Sequence, residues 1–534
     1  MRKPVPLNWI DRAIAYVSPA AGVERLRART VFAVAGGYQG AKRSRTATQG
    51  WAPGGGSPNA DTLPDLEELR ARSRDLDRNA PLAAGALNTY DTNVVGTGLR
   101  ARPSIDRAFL GLSEAEADRW EQDAARIFET WAGSRECDLT RTSTFYETQS
   151  LALRSALSSG DVFAAERFLE RPGSPFGLKV QLIEADRVCN PSRRVDTATL
   201  AGGVEFDENG APVAYHVTDR HPGERGAHGL KWARVPVFAP TSGRRNVHHV
   251  FLRLRPDLAR GVPFLAPVIE HFKQLSKYSE AEIMAAVVNA CFAVGVKTED
   301  GTGASSLEQK AAGAGGAGAS NIAVTEAGLI FDLLPNEQIQ SFTPGRPSAA
   351  FDPFVQAILR QIGVALELPF EVVIKHFTAS YSASRAALEM AWQAFRRRRV
   401  WLAAGYCQPF YESLLTEAIA RGWLDAPGFF ADPFVRAAYC GCEWIGDAPI
   451  SLDPVKDATA AEKWAALGVK TLSQITAATT GGDWERNLPQ RAKEERLRRA
   501  AGLGAPAPAA AAPPAAPADE DEDEAKDEEE QGNG

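Results

Sequence analysis

The chain has 534 residues, of which 44% are hydrophobic and 24% are charged, as in a soluble globular protein with a large core. Its formal charge of −7 is concentrated in DEDEDEAKDEEE (519–530), and the net −9 there leaves +2 on residues 1–518, which excludes a generally basic nucleic-acid binder. Six cysteines with one close pair, Cys440 and Cys442, exclude a disulfide framework and suit a reducing compartment.

Two stretches near the N-terminus bear on the localisation and organisation of the chain. MRKPVPLNWIDRAIAYVSP does not fit a signal peptide, because Asp11 and Arg12 interrupt its short apolar run. No run elsewhere approaches the roughly 20 apolar residues that span a bilayer, so we expect a cytoplasmic product without a membrane partner. Residues 36–64 are rich in Gly, Ser, Thr and Pro and predict an extended arm, either ordered against a partner or a floppy leader.

Helices and then strands are predicted next. Ser113 and Glu116 form a capping-box pattern at the start of an amphipathic helix that Gly133 ends. KVQLIEADRV, VEFDENGAPVAYHV and VHHVFLRLRP read as strands. Asn209-Gly210 in the second of them predicts a hairpin turn, since both residues accept positive φ.

Two long helices flank a small β region. Residues 263–291 predict a helix of roughly 40 Å, and apolar residues from Phe351 to Leu366 recur at helical spacing before Pro369. Between these helices, FAVGVKTED and NIAVTEAGLIFDLLP predict short strands around a Gly-rich insert that lacks the Gly-Lys-Ser/Thr ending of a phosphate-binding loop. A hydroxyl-rich segment then leads into a helix that ends in four arginines, and Trp-rich helices continue to about Arg499.

No constellation in the sequence indicates catalysis, a cofactor or a metal. The serines of SYSASR have neither a nucleophile elbow nor a Ser-x-x-Lys context. A zinc site between His216 and His249, with Cys189 nearby, is possible in principle, but the spacings are arbitrary and surface or hairpin histidines fit better. The seven histidines are His216, His221, His228, His248, His249, His271 and His376.

Several phrases, in this order, resemble the bacteriophage portal proteins of the lambda family over about residues 30–430. They are GYQGAKRSRTATQGW, LRARSRDLDRNAPLAAGALNTYDTNVVGTGL, SGDVFAAERF, VQLIEADRV, RPDLARGVPFLAPVIEHFKQLSKYSEAEIMAA, LPNEQIQSFTPGRPSAAFDPFV and LELPFEVVIKHFTASYSASRAALEMAWQAFRRRR. LELPF and SYSA depart from the Leu-Gly-Leu-Pro-Tyr and Asn-Tyr-Ser-Ser expected of the family. The Gly-rich insert and the acidic tail are peculiar to this chain.

The resemblance implies an α+β, mainly helical portal fold with wing, stem, clip and crown regions, assembled as a ring commonly of twelve copies. Such a ring lies at the unique capsid vertex of the virion after assembly in the host bacterial cytoplasm. Double-stranded DNA passes through it, a separate terminase large subunit drives packaging, and major capsid or scaffold protein and a head-completion or connector protein bind it. The alternatives are a packaging ATPase, a maturation protease, or another scaffold or adaptor protein. The sequence lacks the phosphate-binding loop that an ATPase needs and an obvious nucleophile for a protease.

The resemblance also implies a division of the chain into regions. These are an N-terminal arm (1–64), an α/β wing (65–262), a first stem helix (263–291), a β-containing clip (292–348), a second stem helix (349–367), a tunnel loop (368–384), the helix after it (385–403), a helical crown (404–500) and an Ala/Pro and acidic tail (501–534).

The resemblance implies that residues of the tunnel loop line a DNA channel. The alternative is that this segment is an ordinary interhelical turn. The candidate channel residues are Lys375, His376, Thr378, Ser380, Tyr381, Ser382 and Ser384.

The four arginines after the tunnel loop cannot all face one way, because successive helical residues lie about 100° apart. They contact a neighbouring subunit, DNA or solvent. They are Arg396, Arg397, Arg398 and Arg399. The acidic tail is a solubilising end, or it repels DNA or docks a basic partner.

Overall fold

The computed structural model of the protein describes residues 8–34, 46–225, 229–290, 294–298, 337–341, 351–377 and 380–503. The chain divides into two compact units, residues 1–61 and 62–534. Helices predominate and strands form small sheets, so the predicted mainly helical α+β class is confirmed at this level.

The helices and strands are numbered in chain order. The helices are α1 (Trp9–Val17), α2 (Pro19–Val34), α3 (Pro58–Asn79), α4 (Pro81–Val94), α5 (Arg107–Leu110), α6 (Glu114–Ala132), α7 (Phe145–Ser159), α8 (Ile269–Ala290), α9 (Phe351–Ala365), α10 (Phe370–Ile374), α11 (Tyr381–Leu402), α12 (Gln408–Ala420), α13 (Pro433–Tyr439), α14 (Pro454–Ala466), α15 (Leu472–Thr480) and α16 (Trp484–Ala500). The strands are β1 (Arg100–Pro103), β2 (Asp161–Phe168), β3 (Leu178–Glu184), β4 (Leu200–Ala201), β5 (Val204–Phe206), β6 (Pro212–Thr218), β7 (Trp232–Pro236), β8 (Val247–Phe251), β9 (Val294–Thr298), β10 (Glu337–Ser341) and β11 (Cys442–Ile445).

The first unit contains two helices where the sequence predicted an arm. Asp11, which interrupts the apolar run in the sequence, is the N3 residue of α1 and forms a capping box with the N-cap residue Asn8. The buried Asp11 carboxylate also accepts a hydrogen bond of 3.1 Å from Arg25 Nε of α2. The predicted arm is also too long at its other end, since α3 already begins at Pro58.

The second unit has two cores, which β2 separates. This strand pairs antiparallel with β3 and β8, and its side chains alternate between the faces of that sheet. Val162 and Ala164 point into a large core shared with the helices, whereas Phe163 and Ala165 pack on the sheet β4-β5-β6-β7. Because both faces are covered, β2 is buried from Asp161 to Ala165.

Local sequence signals predicted several elements correctly. Ser113 and Glu116 form the capping box of α6, and Gly133 follows its end. The hairpin at Asn209-Gly210 joins β5 to β6, but only Gly210 has positive φ (+77°). The Asp207 carboxylate accepts hydrogen bonds from the N–H groups of Asn209 and Ala211 (2.9 and 2.7 Å), which stabilises a different turn from the one predicted.

The two predicted long helices are α8 and α9, and aromatic rings join them. The 22 residues of α8 extend about 33 Å, less than predicted. The Tyr278 ring lies 5.3 Å from the Phe351 ring and 5.1 Å from the Phe354 ring. Strand β9 is the predicted strand near residue 294, and it pairs antiparallel with β10, which was not predicted; the strand expected at 321–335 lies outside the described residues.

The segment between α9 and α11 is shorter and more helical than the sequence indicated. The five residues of α10 lie inside it, and α11 begins at Tyr381 instead of 385. A π-helical turn at 403–407 continues α11 into α12. Among the described residues, none of the helices combines the length and hydropathy of a membrane span.

Candidate functional site

The predicted channel residues lie on the surface of the single chain. Lys375, His376 and Phe377 follow α10 and are exposed, and Lys375 has left-handed φ (+54°), which turns the chain away from that helix. On the other side, residues 380–383 are exposed and Ser384 is half-buried. Thr378 lies outside the described residues.

Hydroxyl groups dominate the start of α11. Ser380 occupies the N-cap position without a side-chain capping bond; its Oγ lies 3.2 Å from Ser382 Oγ. Tyr381 is 47% exposed, and its ring centroid lies 5.6 Å from Lys456 Nζ of α14. The next turn is tied to α14 as well, because Arg385 donates to Asp457 (3.4 Å). The loop therefore offers small polar groups on a well-anchored helix end.

The four consecutive arginines have different surroundings. Arg396 is exposed and has no ion pair with any residue in the described ranges. Arg397 is exposed too, but its Nη2 donates to both oxygens of Glu367 at 2.6 and 2.7 Å. Arg397 and Glu367 border a cleft of about 780 Å³ between α9, α10 and α11, which Val364 and Met390 line with exposed apolar surface.

Arg398 and Arg399 point into their own chain. Arg398 is buried, with its guanidinium 4.9 Å from the Phe264 ring centroid, and burial lowers its pKa. Its Nε and Nη1 have no hydrogen-bond partner within the described part of the chain. Arg399 donates to the carbonyl oxygens of Val94 (3.0 Å), Asn93 (2.9 Å) and Asp447 (2.9 Å). These two arginines join α11 to α4 and to the segment after β11.

A buried charged centre lies at the start of β2. Asp161 Oδ2 accepts from Arg260 Nε (2.6 Å) and from the N–H of Gly261 (3.1 Å), and Oδ1 accepts from Arg70 Nη2 (2.8 Å) and Arg260 Nη2 (3.1 Å). Arg260 also donates to backbone carbonyls of Ala185, Val188 and Gly202. Every polar atom of the Arg260 guanidinium is thus paired, as a buried charge requires.

The imidazole of His249 completes the centre. It stacks on Phe163 and Phe251, with both centroid distances 4.1 Å, and its Nε2 lies 3.0 Å from Asp161 Oδ2. Burial lowers the pKa of His249, so the ring is neutral and Nε2–H donates. Burial by itself raises the pKa of Asp161, but the two guanidiniums and the imidazole outweigh it and hold that pKa well below its usual range.

Two glycines allow the carboxylate and the guanidinium to meet. Gly160 has φ of +92°, and a Cβ there would overlap the backbone of Gly261. A Cβ on Gly261 would likewise overlap the Gly160 carbonyl. The pairs Gly160-Asp161 and Arg260-Gly261 therefore pack backbone to backbone, and side chains larger than hydrogen would separate them.

Sequence reasoning missed this centre, although its residues lie in the phrases that carried the resemblance. Arg70 belongs to LRARSRDLDR, Asp161 to SGDVFAAERF and Arg260 to RPDLARGVPF, while the carbonyls of Ala185 and Val188 belong to VQLIEADRV. The sequence did contain a signal for this centre, because Asp161 and Arg260 each lie next to a glycine and within an apolar run. Charged residues in such runs are costly to bury unless they pair.

The described histidines between positions 216 and 249 lie beside carboxylates and do not form one cluster. His216 contacts Glu205 (3.3 Å), and His248 contacts Glu166 (2.8 Å). His228 lies outside the described residues. The five cysteines that the structure describes are free thiols, and burial raises the pKa of Cys440 to about 12.

One group of potential metal ligands occurs in the described part of the chain. Glu184, Asp186 and His221 place their ligand atoms within 4.8 Å of one another. Arg74 already contacts both carboxylates, with its Nη2 3.2 Å from Glu184 Oε1, and Arg70 Nη1 lies 3.6 Å from Asp186 Oδ1. The arginines supply the positive charge that a metal would bring, so the group is an ion-pair network.

Comparisons with known proteins agree with the resemblance. The sequence profile of the family described as "Phage portal protein, lambda family" matches residues 44–399. Portal protein B of Escherichia phage lambda is 27% identical over 473 residues, covering 85% of this chain and 88% of its own length. The portal protein of Escherichia phage N15 is 26% identical over 489 residues, covering 88% and 90% respectively.

Among solved structures, a chain titled "Neck of native GTA particle computed with C12 symmetry" is similar with a TM-score of 0.41 and 14% identity. The match covers 77% of this chain and 92% of that one. The family profile spans well over half of the 534 residues, and the chain therefore belongs to the lambda family of phage portal proteins.

Proposed function

We propose that identical copies of this chain, twelve by the family resemblance, close into a ring at the unique vertex of a phage head. Double-stranded DNA enters and leaves the head through its centre. The observation that carries this proposal, beside the family match, is the exposure of residues 375–377 and 380–383 on the single chain. Together with the family match, this exposure makes the hydroxyl groups of the loop accessible to a duplex at the centre of a ring.

The lining of the proposed channel suits a moving duplex. Each lysine or arginine that contacts a phosphate adds to a salt-dependent grip, so a wall of many cations would hold DNA instead of letting it slide. Ser380, Ser382 and Ser384 offer small neutral groups, and Lys375 and His376 modulate the charge at the edge. In this proposal Thr378 and Tyr381 complete the lining.

The remaining regions are assigned by their order in the chain. The α3–β8 part is the wing, α8 and α9 are stem helices, β9 and β10 belong to the clip, and α12 to α16 form the crown. The clip faces the terminase large subunit during packaging and a head-completion protein afterwards. The protein conducts DNA and hydrolyses nothing, and it assembles with capsid or scaffold protein in the host bacterial cytoplasm.

Arg396 is the arginine best placed to reach a neighbouring subunit. It is exposed, whereas Arg398 and Arg399 contact their own chain and Arg397 pairs with Glu367. The cleft that Arg397 borders exposes apolar side chains, including Val364 at 82%, and a neighbouring copy would bury them. Part of the subunit interface is therefore assigned to this face of α9 and α11.

Negative-stain imaging and native mass measurement of the purified chain test the proposal. We expect rings with a central hole and a mass of twelve chains. Arg396→Glu should reduce ring formation without changing the thermal midpoint of the single chain, whereas Arg119→Glu, an exposed reversal on α6, should leave ring formation intact. Monomers that turn over ATP would instead support a packaging enzyme, and a compact assembly without an aperture would refute the channel.

A further inference from the structure

Helix α16 is an unusual surface helix because none of its side chains is buried. Its N-terminal end is held by ion pairs, since Arg486 contacts Glu129 (2.6 Å) and Glu485 contacts Arg102 (2.7 Å). After that end, the remaining residues are exposed apart from the half-buried Glu495 and Arg498. A polar helix with so little burial needs another source of stabilisation.

The exposed half of α16 carries a basic stripe, which we define as Lys493, Arg496 and Arg499. Their spacing of three residues places them within about 120° of the helix circumference. None of the three forms an ion pair with a residue that the structure describes, and the positions next to Arg496 on the helix face are Ala492, Lys493, Arg499 and Ala500. Like charges at this spacing destabilise a helix, and Glu495, four residues before Arg499, is the only acid three or four residues from any member of the stripe in the described part of the chain.

We propose that the acidic segment of the same chain, residues 519–530, docks on this basic stripe. The segment contains ten acids and one lysine, which gives a net charge of −9. Residues 490–503 contain five cations and two acids, a net charge of +3. The two charged segments are thus complementary in sign, and the acidic segment has charge to spare.

The connecting chain is long enough for this contact. Fifteen residues, 504–518, separate the described part of the chain from the acidic segment, and they consist of Ala and Pro after an initial Gly. At about 3.1 Å per residue they can extend about 47 Å, whereas the stripe is only about 9 Å long. Tethering raises the local concentration of the acidic segment around the stripe, which favours even a weak ionic contact.

The contact gives the acidic segment a role on its own subunit: it neutralises α16 and excludes other polyanions, nucleic acid included, from the stripe. Since the interaction is between exposed charges, salt weakens it. It does not depend on a channel, so it stands apart from the proposed passage of DNA.

Zero-length carbodiimide coupling of the full chain, followed by peptide mass spectrometry, tests the docking. The reagent joins a carboxylate to a lysine amine in contact with it, and Lys493 is the reporter within the stripe. We expect links between 519–530 and Lys493 at low salt, at least fivefold above links to the exposed Lys463 of α14, and their loss at about 0.5 M salt. Equal labelling of Lys463 and Lys493 would overturn the proposal.

A pair of matched variants separates docking from general charge. Arg496→Glu with Arg499→Glu keeps the Lys493 reporter but reverses the stripe, and should lower its links at least fivefold. Arg119→Glu with Arg126→Glu makes the same charge change on exposed positions of α6 and should leave them unchanged. Mixing isotope-labelled and unlabelled chains shows whether the acidic segment binds its own chain or another. Cross-links at Lys493 that join a labelled peptide to an unlabelled one would refute docking within one chain.

Discussion

The fully buried Asp161 carboxylate accepts hydrogen bonds from two arginines, a backbone N–H and a histidine. Such a centre contributes little net stability, because the cost of removing the charges from water offsets their attraction. What it contributes is geometry: Arg70 comes from α3, Asp161 from β2 and Arg260 from the connection to α8. The centre thus fixes where the chain leaves the sheet of β2, β3 and β8 and enters the long helix α8.

Asp161→Asn leaves two buried guanidiniums without a counter-charge. We expect a loss of about 3–5 kcal/mol in the free energy of unfolding, measured by denaturant titration, or failure to accumulate soluble protein. Asp118→Asn, an exposed acid on α6, is the matched control and should change stability by less than about 0.5 kcal/mol. Equal effects of the two substitutions would show that the centre is not closed to water.

The pKa of His249 predicts acid sensitivity. A histidine whose pKa is lower in the folded than in the unfolded state binds a proton more readily when unfolded, so stability falls as the pH drops below the unfolded value of about 6.5. Asp161, whose pKa is also depressed, adds a further loss only below about pH 3.9. His249→Gln keeps a donor for Asp161 but cannot titrate, so it should flatten the fall in thermal midpoint between pH 7 and 5. An unchanged slope would show that other groups cause the loss of stability in acid.

At the scale of elements, α11 has one side committed to the fold and the other available to a partner. Arg399→Ala removes three hydrogen bonds to backbone carbonyls and should lower the free energy of unfolding by about 1.5–3 kcal/mol. Arg396→Ala, three residues earlier on the same helix, should change it by less than about 0.5 kcal/mol. Thermal or chemical denaturation of unassembled chains checks this contrast; similar losses would mean that Arg396 is also bound within the fold.

The contrast between these arginines also shows what sequence could predict. Capping boxes and apolar stripes are local, so α6, α9 and the presence of a helix ending in four arginines followed from spacing. Which arginine is buried depends on α4 and the segment after β11, far away in the chain. The pairing of β1 with β11, and the meeting of Arg70, Asp161 and Arg260, likewise depend on tertiary packing that no window of residues contains.

For the whole molecule, family membership and the exposed loop before α11 together predict how a substitution in that loop would act. If a ring of copies surrounds a duplex, each change in the loop is repeated once per subunit, so a single substitution alters the wall around its whole circumference. A substitution in an interhelical turn on an outer surface would be repeated as often, but it would not face the duplex. Charge added to the loop therefore distinguishes the channel from a surface turn.

Ser382→Arg places one added cation per subunit at the exposed start of α11. Because phosphate contacts release counterions, the added grip on DNA is strong at low salt and weak at high salt. We expect DNA packaged per unit time to fall severalfold at about 50 mM salt and to recover at about 200 mM, while Ser382→Ala stays within about twofold throughout. The measurement is DNA protected from nuclease in a packaging reaction with assembled heads. Identical salt dependence for Arg, Ala and Ser at this position would place the loop away from DNA, even if rings form normally.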